Sequence, residues 1–234
     1  MSTNIKTLLL GIDDAGRGPV IGPMILAGCL VDSKIEEELK GMGVRDSKQL
    51  TQKRREFLEQ LIQEKAFDYE SVTLTPKEID DGLESGTNLN ELEAIACAKI
   101  IDKINSKLAS GGSKIHLKVI VDCPSNSILK WTDILKRHIN DLSNLEISCE
   151  HKADQNHVSV SAASILAKSQ REREMDKIKK RYGSDIGSGY TSDPATKKFL
   201  EKNIKLHQNT GIFRKTWATW KDAESKLKQQ KLEF

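Results

Sequence analysis

Two adjacent aspartates close the first apolar run of this chain and lead directly into a glycine–arginine–glycine turn. The stretch reads Leu8-Leu9-Leu10-Gly11-Ile12-Asp13-Asp14-Ala15-Gly16-Arg17-Gly18-Pro19. Paired carboxylates at a strand end suit hard cations such as magnesium. A glycine-rich turn beside them lets backbone N–H groups come close to a nucleic-acid phosphate or sugar. Metal and phosphate chemistry can then meet between Asp13 and Gly18. Taken alone, the fragment also reads as a strand closed by a polar turn, where Asp and Gly are ordinary.

The pattern recurs. Lys118–Asp122 is a short β-branched strand ending on Asp122, and Leu145–Cys149 is a similar strand followed by His151-Lys152-Ala153-Asp154. In an α/β sheet, strand ends converge on one crevice. Four carboxylates there repel one another unless metal neutralises them. Two magnesium ions roughly 3.5–4 Å apart would suit phosphodiester hydrolysis, one activating water and the other stabilising the leaving oxygen. No His/Cys spacing supports zinc. Singly, Asp122 reads as a turn acid before Pro124, and Asp154 as a helix-start acid favoured by the dipole.

The elements that must position these acids follow from periodicity. Leu8–Asp13 and Val20–Val31 read as buried strands around the Gly-Arg-Gly-Pro turn. Thr51–Glu64 reads as a helix capped by Thr51, with Phe57, Leu58, Leu61 and Ile62 on one face. Tyr69–Leu74 is a third strand, and Pro76 opens a short helical piece. Asn88–Leu108 is a strong helix. Asn88 and Glu91 serve as its capping residues, and Leu92, Ile95, Ile101, Ile104 and Leu108 form its apolar stripe. Val158–Tyr182 reads as a long helix whose opening small residues, Ser161-Ala162-Ala163-Ser164, allow close packing and whose second half is basic. This order predicts an α/β domain with a mixed sheet flanked by helices. Residues 1–186 would form the catalytic domain and 187–234 a helical C-terminal region.

The chain of 234 residues is 37% hydrophobic and 30% charged, enough for one large domain or a domain with an appendage. It lacks an 18-residue apolar run and a signal-like N-terminus, so a membrane span and secretion are not expected. Cys29, Cys97, Cys123 and Cys149 are irregularly spaced in apolar runs, as expected of buried thiols in the reducing cytoplasm. Charge is unevenly placed. Lys168–Arg181 carries +4 and Lys197–Lys231 carries +7, against a total of +3, which leaves −8 for the rest. A basic C-terminal third beside an acidic body fits a polyanion partner and a cation site in one molecule.

With these motifs in view, the chain resembles the type 2 ribonucleases H (ribonuclease HII), and most closely their archaeal and eukaryotic-like branch. The resemblance rests on the stretch from Gly11 to Pro19, Asp46-Ser47-Lys48-Gln49-Leu50, Asn88-Leu89-Asn90-Glu91-Leu92-Glu93 and His151-Lys152-Ala153-Asp154. It continues through Ser161-Ala162-Ala163-Ser164-Ile165-Leu166-Ala167-Lys168, Gly187-Ser188-Gly189-Tyr190-x-Ser192-Asp193-Pro194 and Arg214-Lys215-Thr216-Trp217, in the family's order. It implies a ribonuclease H-like fold and a monomer. It also implies an endonuclease that hydrolyses the RNA strand of RNA–DNA hybrids and cuts 5′ of ribonucleotides embedded in duplex DNA, leaving 3′-hydroxyl and 5′-phosphate ends. Two divalent cations, Mg2+ or Mn2+, would sit on Asp13, Asp14, Asp122 and Asp154. The backbone of Gly16-Arg17-Gly18 would sense the ribose 2′-hydroxyl, and Tyr190 would pack on the following sugar and read the RNA-to-DNA junction.

One position departs from the family pattern. The second acid is ordinarily glutamate and here is Asp14, shorter by about 1.5 Å of reach. A displacement of about 1 Å can cost on the order of a hundredfold in rate. The alternative reading is therefore a hybrid- or junction-binding protein with impaired catalysis. Thr191 stands where proline is common. Lys48 and Lys168 could meet phosphates or remain solvated surface lysines. Asp193 is expected to cap the helix after Pro194, His151 and His157 to be satisfied structural histidines, and Trp217 and Trp220 to pack in the core. The C-terminus, Lys228-Gln229-Gln230-Lys231-Leu232-Glu233-Phe234, loosely resembles the peptides by which replication enzymes hook onto sliding clamps. In that reading Leu232 and Phe234 anchor in a groove; the other reading is a frayed tail.

Overall fold

A computed structural model describes residues 6–44, 50–111 and 114–230. Five strands form one sheet in the order β3-β2-β1-β4-β5. β1 (Lys6–Ala15) pairs antiparallel with β2 (Met24–Val31) and parallel with β4 (Ile115–Asp122), which pairs parallel with β5 (Leu145–Glu150). β3 is Asp68–Leu74. The helices are α1 (Ser33–Gly41), α2 (Gln52–Lys65), α3 (Pro76–Glu84), α4 (Leu89–Ser110), α5 (Ile128–Arg137), α6 (Ala153–Asn156), α7 (Val158–Tyr182), α8 (Pro194–His207) and α9 (Ala218–Gln230). This is the expected mixed sheet with flanking helices, and the fold is ribonuclease H-like.

The contacts divide the chain into two interleaved units. The first is Met1–Ala15, Ile25–Val72 and Asn90–Ser169; the second is Gly16–Met24, Thr73–Leu89 and Gln170–Phe234. This division differs from the 186/187 boundary, because Gly16–Met24 and Thr73–Leu89 pack with C-terminal residues that lie far away in sequence.

Every residue of β2 is buried, β1 and β4 are buried along most of their apolar runs, and the outer strands β3 and β5 are largely half-buried. Gly11 shows how closely α7 approaches β1. A Cβ there would lie 2.2 Å from the Ser159 carbonyl carbon, so only glycine fits. The small residues Ala162 and Ala163 continue that packing and are fully buried. Thr51 caps α2 by accepting from the Arg54 N–H. The second unit has its own core of Val20, Ile21, Met175, Phe199, Phe213 and Trp220, with their neighbours. There α3 carries a full capping box between Thr75 and Glu78.

Three sequence expectations change. The second strand begins at Met24, not Val20, and Val20–Pro23 runs as an irregular segment. Gly22 there has a φ of +90°, which an L side chain rarely adopts. Phe57 is 53% exposed and lies under the Arg54 guanidinium instead of facing the core. On α4 the buried face carries Glu93, Cys97, Ile100, Ile101 and Ile104, so an acid occupies a position on the apolar stripe. All four cysteines are buried and none is in a disulfide. Among the described residues no helix is long and apolar enough to cross a membrane.

Candidate active site

The parallel pairing of β1 with β4 matches Ile12 to Val121. The next residues, Asp13 and Asp122, therefore leave neighbouring strands at the same end. Asp13, Asp14 and Asp122 line one small cleft in the first unit, together with Glu93, Cys97 and Trp131. Asp13 is buried, and one of its oxygens accepts the Asp14 N–H at 2.7 Å. Burial first, and then the charges of Asp14 and Asp122, push its carboxyl up to about 8; hydrogen bonds from Ser164 and the Asp14 backbone oppose that rise. A buried carboxyl so crowded by like charge is a site that a cation would stabilise.

Asp154 stands on α6, also in the first unit, and is buried. Asp122 Oδ1 accepts the Ala153 N–H at 2.8 Å, tying the end of β4 to the turn that carries Asp154. The preceding Lys152 adopts the left-handed conformation (φ 57°), the only described non-glycine residue to do so. That backbone is costly for a lysine, and it is held by local bonds. Ser161 Oγ donates to the Asp154 carbonyl at 2.7 Å, and the Gln155 N–H donates to the Lys152 carbonyl at 3.0 Å. His151 Nδ1 donates to the Cys123 carbonyl at 3.2 Å, and His157 Nε2 pairs with Glu150 at 2.9 Å, so both histidines are structurally engaged.

The donor set is all oxygen apart from Cys97, whose thiol burial pushes well above its ordinary range. Carboxylates of this kind fit Mg2+ or Mn2+. Among the described residues no group of three His, Cys, Asp or Glu side chains is already closed into a metal-binding shell.

Lys168 is partly buried on α7 and donates to Ser164 Oγ at 2.9 Å; Ser164 in turn bonds Asp13. It is thus linked to the acidic cleft and is not a solvated surface lysine. Lys48 lies outside the described residues. Glu93 is buried against the same cleft, and sequence reasoning assigned it no role there. Its signal was an acid at helical spacing from Cys97 and Ile100 on an apolar face.

Gly16, Arg17, Gly18 and Tyr190 belong to the second unit. Arg214 is fully buried there and forks across the turn. Its Nη2 donates to the Gly16 carbonyl at 2.6 Å, Nη1 to the Arg17 carbonyl at 2.7 Å, and Nε to the Gly22 carbonyl at 3.1 Å. Trp217 Nε1 donates to the Gly18 carbonyl at 3.1 Å. All three carbonyls of the turn are thereby occupied. The chain has no cis peptide bond among the described residues. In a trans peptide the N–H points opposite the carbonyl, so the Arg17 and Gly18 N–H groups are aimed away from Arg214. The sequence expectation missed both supports: it placed Arg214 and Trp217 in one motif and Trp217 also in the core, with no partner for either in the turn.

Tyr190 is 40% exposed and lies over that turn; a Cβ at Gly18 would stand 3.8 Å from its ring. Its own turn is firmly held. The Asp193 carboxylate accepts the Ser188 N–H and hydroxyl, each at 2.7 Å, and caps α8 through the Ala195 N–H at 2.9 Å. The Ser188 bonds, followed by that from Ala195, hold Asp193 down at about 2. The Gly189 carbonyl accepts the Val20 N–H at 2.9 Å. Asp193 is therefore a cap, as the sequence predicts. Trp220 is in the core, as expected.

Fold and cleft together define a ribonuclease H-like protein with clustered carboxylates at the ends of parallel strands. A family model described as Ribonuclease HII matches residues 10–220. The chain is 41% identical to the ribonuclease HII of Methanocaldococcus jannaschii over 96% of this chain and 98% of that one. Among solved structures it is similar to the ribonuclease H2 of Pyrococcus horikoshii OT3, with a TM-score of 0.81 and 37% identity over 94% of this chain and 99% of that one. It is also similar to the ribonuclease HII of Archaeoglobus fulgidus, solved as a complex with PCNA, with a TM-score of 0.76 and 33% identity over 90% and 95% of the two chains. The chain belongs to the ribonuclease HII family, a family of endoribonuclease hydrolases.

Proposed function

We propose that this ribonuclease H is a divalent-metal endonuclease that cuts the RNA strand of RNA–DNA hybrids and also cuts 5′ of single ribonucleotides embedded in duplex DNA. The observation that carries this reading is the cleft shared by Asp13, Asp14 and Asp122. Those three residues and Asp154 would hold two Mg2+ or Mn2+ ions, which when bound supply an activated water and stabilise the leaving oxygen. Asp13 would enter as a carboxylate once a cation offsets the charges of Asp14 and Asp122. Asp122 would keep the Asp154 turn in place through the Ala153 N–H. Ala15 alone separates Asp14 from Gly16 in sequence.

The turn would present the Arg17 and Gly18 N–H groups to a ribose 2′-hydroxyl, the group that distinguishes RNA from DNA at one position. Tyr190 would pack on the next sugar where that sugar lacks the hydroxyl. The basic C-terminal third would contact phosphates. The decisive measurement is cleavage of duplex DNA carrying one ribonucleotide, with Mg2+, with Mn2+ and with chelator. Expected is a cut 5′ of the ribonucleotide that requires metal. Tight binding with no cut under either ion would instead make the chain a junction-binding protein disabled by Asp14.

A clamp partner is proposed as well. The support is the tail Gln229–Phe234, with the relative from A. fulgidus solved in complex with PCNA. Lys231–Phe234 lie outside the described residues. A synthetic peptide of about the last twelve residues, a length suited to a groove-binding motif, should bind the clamp of the source organism. Clamp stimulation that survives deletion of Gln229–Phe234 would end that reading.

A further inference from the structure

We propose that Arg171 is a positioning residue that fixes the spacing between the Gly16–Gly18 turn and Tyr190, and so sets the preference for an RNA–DNA junction over a continuous hybrid. This rests on the reading of turn and tyrosine given above and assigns the residue that couples them.

Arg171 sits on α7 and is only 9% exposed. Its guanidinium carbon lies 5.1 Å from the centre of the Tyr190 ring, and Nη2 donates to the Ser188 carbonyl at 3.2 Å. The same side chain fills the space at Gly16, where a Cβ would come within 2.3 Å of Arg171 Nε. Gly16 also has a φ of +87°, so glycine is required there twice over. One planar group thus touches the turn, the tyrosine ring and the backbone two residues before that ring. Nε has no hydrogen-bond partner among the described residues, although it is buried. Leaving a buried donor unsatisfied is costly, and its position against Gly16 makes the arrangement a spacer between two parts and not a closed polar network.

Discrimination of a junction needs two groups at a fixed separation. One detects the hydroxyl and the other detects its absence on the next sugar. Arg214 fixes the turn from one side, and Arg171 joins it to the ring. A lysine at 171 keeps the charge but loses the plane and the fork; a methionine keeps the stem and loses both.

The test compares wild type, Arg171→Lys, Arg171→Met, Tyr190→Ala and the Arg171→Met/Tyr190→Ala double variant. Each is measured on a duplex with one ribonucleotide and on a long hybrid. Both Arg171 variants should lose single-ribonucleotide cleavage at least about tenfold more than hybrid cleavage, the scale expected of a small misplacement. Tyr190→Ala should add little in the methionine background. In chelator, the affinity ratio between the two substrates should shift in the same direction. Equal losses on both substrates, with or without a fall in Tm, would make Arg171 merely structural and overturn the inference, as would an unchanged ratio. If wild type cuts the hybrid but not the single ribonucleotide, the proposed function itself fails, a result distinct from an active wild type with insensitive Arg171 variants.

Discussion

Arg214 Nη2 meets the carbonyl oxygen of Gly16 at 2.6 Å, although the two residues lie near opposite ends of the chain. The bond orients a turn that has no side chain at Gly16 or Gly18 with which to orient itself. Lysine cannot replace it, because one ammonium cannot span the Gly16, Arg17 and Gly22 carbonyls in a fixed plane. Arg214→Lys should lower Tm and should erode discrimination between ribonucleotide and all-DNA duplexes by about tenfold, equivalent to one good hydrogen bond. Competition binding in chelator checks this; unchanged discrimination would show that the turn holds its shape without the fork.

The carboxylates should matter for chemistry more than for substrate binding. Asp13→Asn or Asp122→Asn keeps size and removes the charge expected to hold metal. Single-turnover cleavage should fall at least about a thousandfold, with affinity for the hybrid changed far less. Asp122→Asn should also loosen the Asp154 turn, because the amide is a weaker acceptor for the Ala153 N–H. A variant that cuts at the wild-type rate removes that residue from the metal site.

Asp14→Glu tests the departure from the family pattern. If the end of β1 has adapted to the shorter acid, glutamate overfills a cleft already lined by Glu93 and activity falls. If Asp14 is a compromise, activity rises, by up to about a hundredfold. Rates and magnesium dependence measured side by side decide it, and identical curves would make the missing methylene irrelevant.

Much of this was legible because it was local. Alternation and β-branching marked the strands, caps at Thr51 and Asp193 marked helix starts, and the acids stood at strand ends. What was not legible depends on contacts distant in sequence. Arg214 supports Gly16, and Arg171 meets Tyr190, only because the chain returns on itself. Nothing in the spacing of either arginine announces those partners. Glu93 was hidden differently. Its helix was expected to show a stripe through Leu92 and Ile95, and the real buried face is turned by about one residue, which brings an acid inward. Phe57 went the other way: Leu58 and Ile62 are the fully buried apolar residues on the core side of α2, with Leu61 partly buried beside them, while Phe57 stays out under Arg54.

The buried Asp13 carboxyl gives a pH prediction with a definite sign. Its folded value, about 8, lies above the ordinary 3.8. Between those values the folded protein holds a proton that the unfolded chain has released, so stability falls as pH rises through that window and levels off above it. In chelator, Tm should therefore decline from about pH 5 to about pH 8. Asp13→Asn removes the titration, so its Tm should decline less and should exceed wild type at the alkaline end by at least about 2 °C. Magnesium should recover wild-type Tm at the alkaline end and should do little for the asparagine variant, since bound cation stabilises only a fold that binds it. Parallel Tm–pH curves for the two proteins in chelator would mean that Asp13 is ionised throughout, and that the cleft does not need a cation to hold its charge.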